Sequence, residues 1–360
     1  MLRTHFFLKI FRETLAGFKY LHYFCIAIER ETLKSKRGWS VRISVSTQDF
    51  HSCKGGSIPP RTTKRARLMN KLFFFMYICL QITFNHSITM RKTFGAICLF
   101  LLACLGAQAS QVDTLLVHSQ SMNKDIKIVS IRPDKALKGE KCPVVYLLHG
   151  YSGNEKSWLD FRPDLPQIAD REGIIFVCPD GGYDNWYWDS PLVKESRYET
   201  FVSQELINYV DKNFATLADR SKRAITGLSM GGHGAMWLAI RHLDVFGAVG
   251  STSGGLDIRP FPNNWNMKKY LGERDENLEV WNNHTVINQL DRIKDGDLAI
   301  IIDCGVDDFF FNVNKAVHER LLTQKVGHDF IARPGGHTGE YWRNAIGYQI
   351  KFFKKHFDKK

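Results

Sequence analysis

From residue 110 onward, short runs rich in β-branched and aromatic residues alternate with longer stretches in which apolar side chains recur every three or four positions. A strand sends successive side chains to opposite faces, whereas a helix returns to one face about every 3.6 residues, so the two kinds of run predict different elements. The short runs predict strands over residues 114–118, 126–131, 144–148, 174–178, 223–226, 248–251, 299–303 and 330–333. Several are apolar on consecutive positions, as in Val144-Val145-Tyr146-Leu147-Leu148, which fits a strand covered on both faces. Helices are predicted over 200–214, 232–241, 312–324 and 339–357. This alternation specifies one α/β domain over residues 110–360, with a mostly parallel central sheet of eight strands and helices on both faces. Residues 255–290, rich in Asn, Trp and charge, follow neither period and read as a lid or insertion near a site or as a surface excursion.

Charge divides the chain. Residues 1–89 carry 15 Lys/Arg and 4 Asp/Glu, while residues 90–360 carry 34 and 33. A net charge of +12 spread over one folded face would suit nucleic acid, but the predicted domain is nearly neutral, which excludes that partner. At Met90 the chain has the three parts of an export signal: Arg91 and Lys92, an apolar run over 94–105, then Ala107-Gln108-Ala109. Residues 90–109 are therefore expected to be a signal peptide that leaves Ser110 first in an exported, periplasmic or extracellular protein. The apolar run is shorter than the roughly 20 residues a membrane span needs. Leu101-Leu102-Ala103-Cys104 also resembles a lipoprotein signal, and membrane attachment is expected only if Cys104 carries a lipid. Residues 1–89 show no sustained period and read as an upstream extension, disordered or not made, with a short apolar anchor at 72–84 as the alternative. Beyond Ser110 only Cys142, Cys178 and Cys304 remain, in or beside apolar runs and without metal-ligand spacing, so they read as buried thiols and no metal is expected.

The sharpest chemical signal is Gly227-Leu228-Ser229-Met230-Gly231, between a predicted strand and a predicted helix. In that context G-x-S-x-G forms a turn so tight that small residues must flank the serine, whose hydroxyl projects above the sheet edge. A serine hydroxyl needs a base within hydrogen-bond reach and an acid to orient that base, supplied in this architecture by later loops in the order acid, then His. His337, in the Gly-rich loop after the last predicted strand, is the expected base. Asp308 is the favoured acid, with Asp307 next and Asp303 last, because Asp303 still belongs to the predicted strand. His149 is expected to fix its loop, and His233 and His242 to cap or pack. The oxyanion needs two amide donors, expected from the backbone of Met230 and of Tyr151 in His149-Gly150-Tyr151-Ser152-Gly153.

Taken together, LLHGYSG, CPDGGYDNWYWDSP, GLSMGGHGAMWLAI, IDCGVDDF and PGGHTGEYW resemble, in the same order, the esterase family that includes esterase D, S-formylglutathione hydrolases, feruloyl and acetylxylan esterases and the mycolyltransferases of the antigen 85 type. The resemblance covers about residues 112–357. It implies an α/β-hydrolase fold, a serine carboxylic ester hydrolase without cofactor, Asp308 as the acid three residues after Gly305, and His337 as the base. An export signal argues against the typically cytosolic S-formylglutathione hydrolases and favours feruloyl or acetyl esters of carbohydrate, small or polysaccharide-linked. Among Tyr183, Trp186, Tyr187 and Trp188, the indoles of Trp186 and Trp188 are expected to stack on substrate, or else to be packed loop residues. Acyl transfer to a sugar, and a catalytically silent carbohydrate-binding protein on the same scaffold, are the alternatives. Oligomeric state has no signature in the sequence.

Overall fold

The computed structural model describes residues 110–359 and, by itself, a short antiparallel pair, Lys34–Ser35 with Gly38–Trp39. Apart from that pair, the expected extension, the signal peptide and Cys104 lie outside the described residues. All eight expected strands are present: β1 (Gln111–Ser119), β2 (Lys124–Arg132), β3 (Val144–Leu148), β4 (Ile175–Pro179), β5 (Arg223–Gly227), β6 (Ala248–Thr252), β7 (Ala299–Gly305) and β8 (Asp329–Arg333). They form one sheet in the order β1-β2-β4-β3-β5-β6-β7-β8. Only β2 runs against its neighbours, and every other pairing is parallel. This is the α/β-hydrolase architecture.

The consecutive apolar residues of β3 have a direct structural reason. Val144, Tyr146 and Leu148 join one core cluster, and Val145 and Leu147 join another on the opposite face. The sheet is thus the middle of a three-layer sandwich, and a strand there has no polar side to present.

The α-helices of five residues or more are α1 (Ser157–Phe161), α2 (Leu165–Glu172), α3 (Leu206–Asn213), α4 (Met230–Arg241), α5 (Met267–Leu271), α6 (Leu278–Asn283), α7 (Phe311–Thr323) and α8 (Gly339–Phe357). Helix α3 continues a turn that starts at Tyr198 and passes through a π-helical segment, Phe201–Glu205. Helix α4 starts two residues before its predicted start at 232, because the turn at Ser229 feeds straight into it. The unpredicted α1, α2, α5 and α6 are each eight residues or shorter, too few to establish a helical period. In α2, Pro166 sits in the first turn, where its missing N–H removes no helix bond, and Gly173 closes the helix at φ 65°. Helix α4 packs in one core cluster and the apolar stripe of α8, Ile346, Ile350, Phe353 and Phe357, in the other. No described helix is long and apolar enough to cross a membrane.

Candidate active site

Between β5 and α4 the backbone turns at Ser229, with φ 55° and ψ −119°. Positive φ is uncommon for a residue with a Cβ and carries a strain of about 1–3 kcal/mol that the surroundings must hold in place. Excluded volume holds it here. A Cβ on Gly227 would lie 2.3 Å from the Gly231 carbonyl oxygen, and one on Gly231 would lie 2.4 Å from that of Leu148. Only two glycines allow strand β3, the turn and the first turn of α4 to pack this closely. Ser229 donates its N–H to the Thr252 carbonyl at 2.9 Å and accepts from the His233 N–H at 3.0 Å, so it also starts the helix. Its side chain stands at the positive end of the α4 dipole, a favourable place for developing negative charge.

The loops that carry Asp308 and His337 leave the ends of β7 and β8. They touch backbone to backbone: Val306 and Asp307 donate to the carbonyls of Arg333 and Gly335 at 2.9 and 3.0 Å. His337 reaches Ser229 Oγ through Nε2 at 2.9 Å and Asp308 Oδ2 through Nδ1 at 2.8 Å. The Asp308 carboxylate is buried, and its other oxygen accepts the Phe310 N–H at 2.8 Å. The remaining carboxylates point elsewhere. Asp303 accepts from Tyr341 Oη at 2.6 Å and pairs with Arg333 at 2.5 Å, while Asp307 accepts the Gly335 N–H at 3.2 Å. Burial, with the Asp303 carboxylate beside it, raises the Tyr341 phenol well above its ordinary pKa, so it stays a donor.

The loop after β3 runs against the serine, and a Cβ on Gly150 would lie 3.2 Å from Ser229 Cβ. The N–H groups of Tyr151 and Met230 donate to no acceptor among the described residues. Two free amides beside a nucleophilic hydroxyl are the arrangement that stabilises an oxyanion. Five other histidines are occupied elsewhere. His149 bridges Gly150 and Gly181, and His233 lies between Trp188 and Gly255. His242 contacts Glu199, and His318 contacts His328. Burial pushes His233 down to about 3, leaving it neutral. Among the described residues no three His, Cys, Asp or Glu side chains gather as a metal-holding group. Cys142, Cys178 and Cys304 are free and buried.

The expectation that Trp186 and Trp188 stack on substrate does not match their surroundings. They are 1% and 0% exposed, stacked on each other at 5.7 Å and edge-on to His233, so neither indole has an open face. Trp186 itself and Tyr187, between the two, are left-handed at φ 57° and 64°, and all three side chains are buried. The exposed aromatics near the site are instead Tyr183 and Phe309, at 59% and 50%. Phe309 lies over the His337 ring at 4.3 Å, with Trp342 edge-on to the same ring at 5.0 Å. Residues 255–290 also reach the site. Trp265 stacks on Phe309 at 5.7 Å, and Asn266 donates to the Tyr151 hydroxyl at 3.2 Å and to Asp184 at 3.0 Å. Sequence reasoning named Tyr183 and a lid in 255–290 but not Phe309, Trp342, Trp265 or Asn266, although Phe309 directly follows Asp308 and Trp342 lies in the same motif as His337.

The family model described as "Putative esterase" matches residues 119–352. An acetyl esterase from Caldicellulosiruptor saccharolyticus is 25% identical over 258 residues, 66% of this chain and 96% of that protein. An esterase from Mycobacterium tuberculosis is 28% identical over 238 residues, 58% of this chain and 52% of that protein, about half its length. Among solved structures, a ferulic acid esterase with 28% identity superposes with a TM-score of 0.60, covering 69% of this chain and 99% of that one.

Proposed function

Because the chain belongs to the "Putative esterase" family and is a carboxylic ester hydrolase, we propose that it works through an acyl-enzyme on Ser229, with His337 as base and Asp308 as acid. Ser229 Oγ attacks the ester carbonyl while His337 Nε2 takes its proton. The buried Asp308 carboxylate holds Nδ1–H and stabilises the imidazolium, and the amides of Tyr151 and Met230 receive the negative charge on the former carbonyl oxygen. His337 then returns the proton to the leaving alcohol, and a water activated by the same ring releases the acid. The observation that carries this reading is the line of two hydrogen bonds from Ser229 through His337 to Asp308, at 2.9 and 2.8 Å.

The substrate we propose is an acetyl or feruloyl ester of carbohydrate, acted on outside the cytoplasm after export. Relatives named acetyl esterase and ferulic acid esterase support the acyl group. The exposed aromatic rings of Tyr183 and Phe309 at the rim support a flat or sugar-bearing ligand. The test compares wild type with Ser229→Ala on p-nitrophenyl acetate, then on methyl ferulate, acetylated xylan and S-formylglutathione. Wild type should hydrolyse the first, and the variant should lose at least about 10³-fold in kcat. Equal rates in both proteins would remove the acyl-enzyme. A clear preference for S-formylglutathione would remove the carbohydrate assignment alone.

A further inference from the structure

The amide of Tyr151 belongs to the peptide that joins it to Gly150. A peptide unit is planar and trans, so its carbonyl and its N–H point in opposite directions within one rigid plane. Whatever grips the Gly150 carbonyl therefore aims the Tyr151 N–H. Two groups grip it: His149 Nδ1 at 2.7 Å and the backbone N–H of Gly153 at 3.0 Å.

The far side of the same ring settles which nitrogen bears the proton. His149 Nε2 lies 2.7 Å from the backbone nitrogen of Gly181, in the loop after β4. A backbone N–H only donates, so Nε2 accepts, and the neutral ring must carry its hydrogen on Nδ1. Tyr187 adds a second restraint by donating its hydroxyl to the His149 carbonyl at 3.0 Å. Space around the ring is fully used, since a Cβ on Gly153 would fall 2.8 Å from Nδ1.

From this geometry we infer that His149 is a positioning residue for the oxyanion: Gly181 selects its tautomer, and the resulting Nδ1–H orients the Gly150–Tyr151 peptide toward Ser229. The inference rests on the acyl-enzyme reading above, in which the Tyr151 amide holds the developing charge. It makes Gly181, in the loop after β4, a part of the catalytic arrangement through His149.

Two substitutions separate aiming from simple bracing. Asparagine carries its amide at about the reach of Nδ1 and can still donate to the Gly150 carbonyl. Glutamine extends to about the reach of Nε2 and can accept from Gly181 while leaving Gly150 without its side-chain donor. His149→Asn should keep kcat for p-nitrophenyl acetate within about threefold of wild type, and His149→Gln should lose about thirtyfold or more with little change in KM, because deleting an oxyanion donor costs about 10²–10³ in kcat. A Gln variant equal to or faster than the Asn variant would show that His149 only braces the loop and would overturn the inference. Thermal melts establish that each variant is folded. If His149→Gln does not fold, the decision passes to the Asn variant, whose folded form must keep kcat within that same threefold, and a larger loss there overturns the inference. A wild-type protein that neither hydrolyses the ester nor accepts a fluorophosphonate on Ser229 would remove the acyl-enzyme itself, an outcome distinct from an active wild type with Asn and Gln variants in the wrong order.

Discussion

The two halves of the candidate site are held by different forces. The turn at Ser229 is fixed by steric exclusion: Gly227 and Gly231 sit where no Cβ fits, and backbone atoms of β3 wall in the turn. The arm that carries His337 is fixed by polar contacts between two loops and by aromatic rings, one of which, Phe309, is half exposed. Steric confinement gives accuracy without adjustability. A polar, partly solvated arm leaves an imidazole more freedom to adjust, as the proposed proton transfers to and from His337 would require.

The largest effect should come from the polar side. Asp308→Asn keeps the shape of the arm but no longer favours the tautomer with hydrogen on Nδ1, and kcat should fall by about 10³–10⁴-fold with an unchanged melt. A loss under tenfold would shift the acid's role to another carboxylate. On the steric side, Gly231→Ala forces a methyl against the Leu148 and His149 carbonyls. It should lower stability by about 1–3 kcal/mol and depress kcat, read by denaturant unfolding and steady-state kinetics on the same sample. An alanine variant as stable and active as wild type would contradict the packing argument.

Acid should weaken the helix that supports the turn. His233 is buried and neutral, held by burial down to about 3. The unfolded chain takes up a proton near pH 6.5 that the folded one refuses, so stability falls as pH drops from there toward 3. The contribution is about 1.4 kcal/mol per pH unit at most. Glu199 acts in the same direction over a lower range: burial alone would raise it, but hydrogen bonds from His242, Arg241 and Trp237 outweigh that and hold it at about 2. Melts of wild type and His233→Gln between pH 7 and 4 check the first term, and the variant should show the shallower slope. The smallest effects belong to the rim. Phe309→Ala should reduce kcat/KM by less than about tenfold, through looser packing on His337, and Asp307→Asn by about twofold. A larger loss in Asp307→Asn than in Asp308→Asn would reverse the assignment of the acid.

How far each part could be read in the sequence follows the same physical division. Strands such as β3 and β4 were legible because burial on both faces leaves an unbroken apolar run, and the turn at Ser229 because its sterics admit so few residues. The acid remained a choice among Asp303, Asp307 and Asp308, since their directions depend on the Arg333 and Tyr341 partners that β8 and α8 bring from elsewhere in the chain. Trp186 and Trp188 illustrate the opposite error. An aromatic cluster in a loop looks like a platform, yet two consecutive left-handed residues folded these indoles into the core beside His233. The short helices α5 and α6 left no periodic trace, so the irregular composition of residues 255–290 could suggest a lid near the site but could not single out Trp265 and Asn266.

The backbone angle at Ser229 carries an implication for the protein as a material object. Every L-residue placed at φ 55° there bears a similar penalty, and glycine alone escapes it. A Ser229→Gly molecule should therefore melt above Ser229→Ala, though neither can form an acyl-enzyme. The fold thus keeps a side chain at a backbone angle that only glycine adopts without strain, a local cost borne at Ser229 itself.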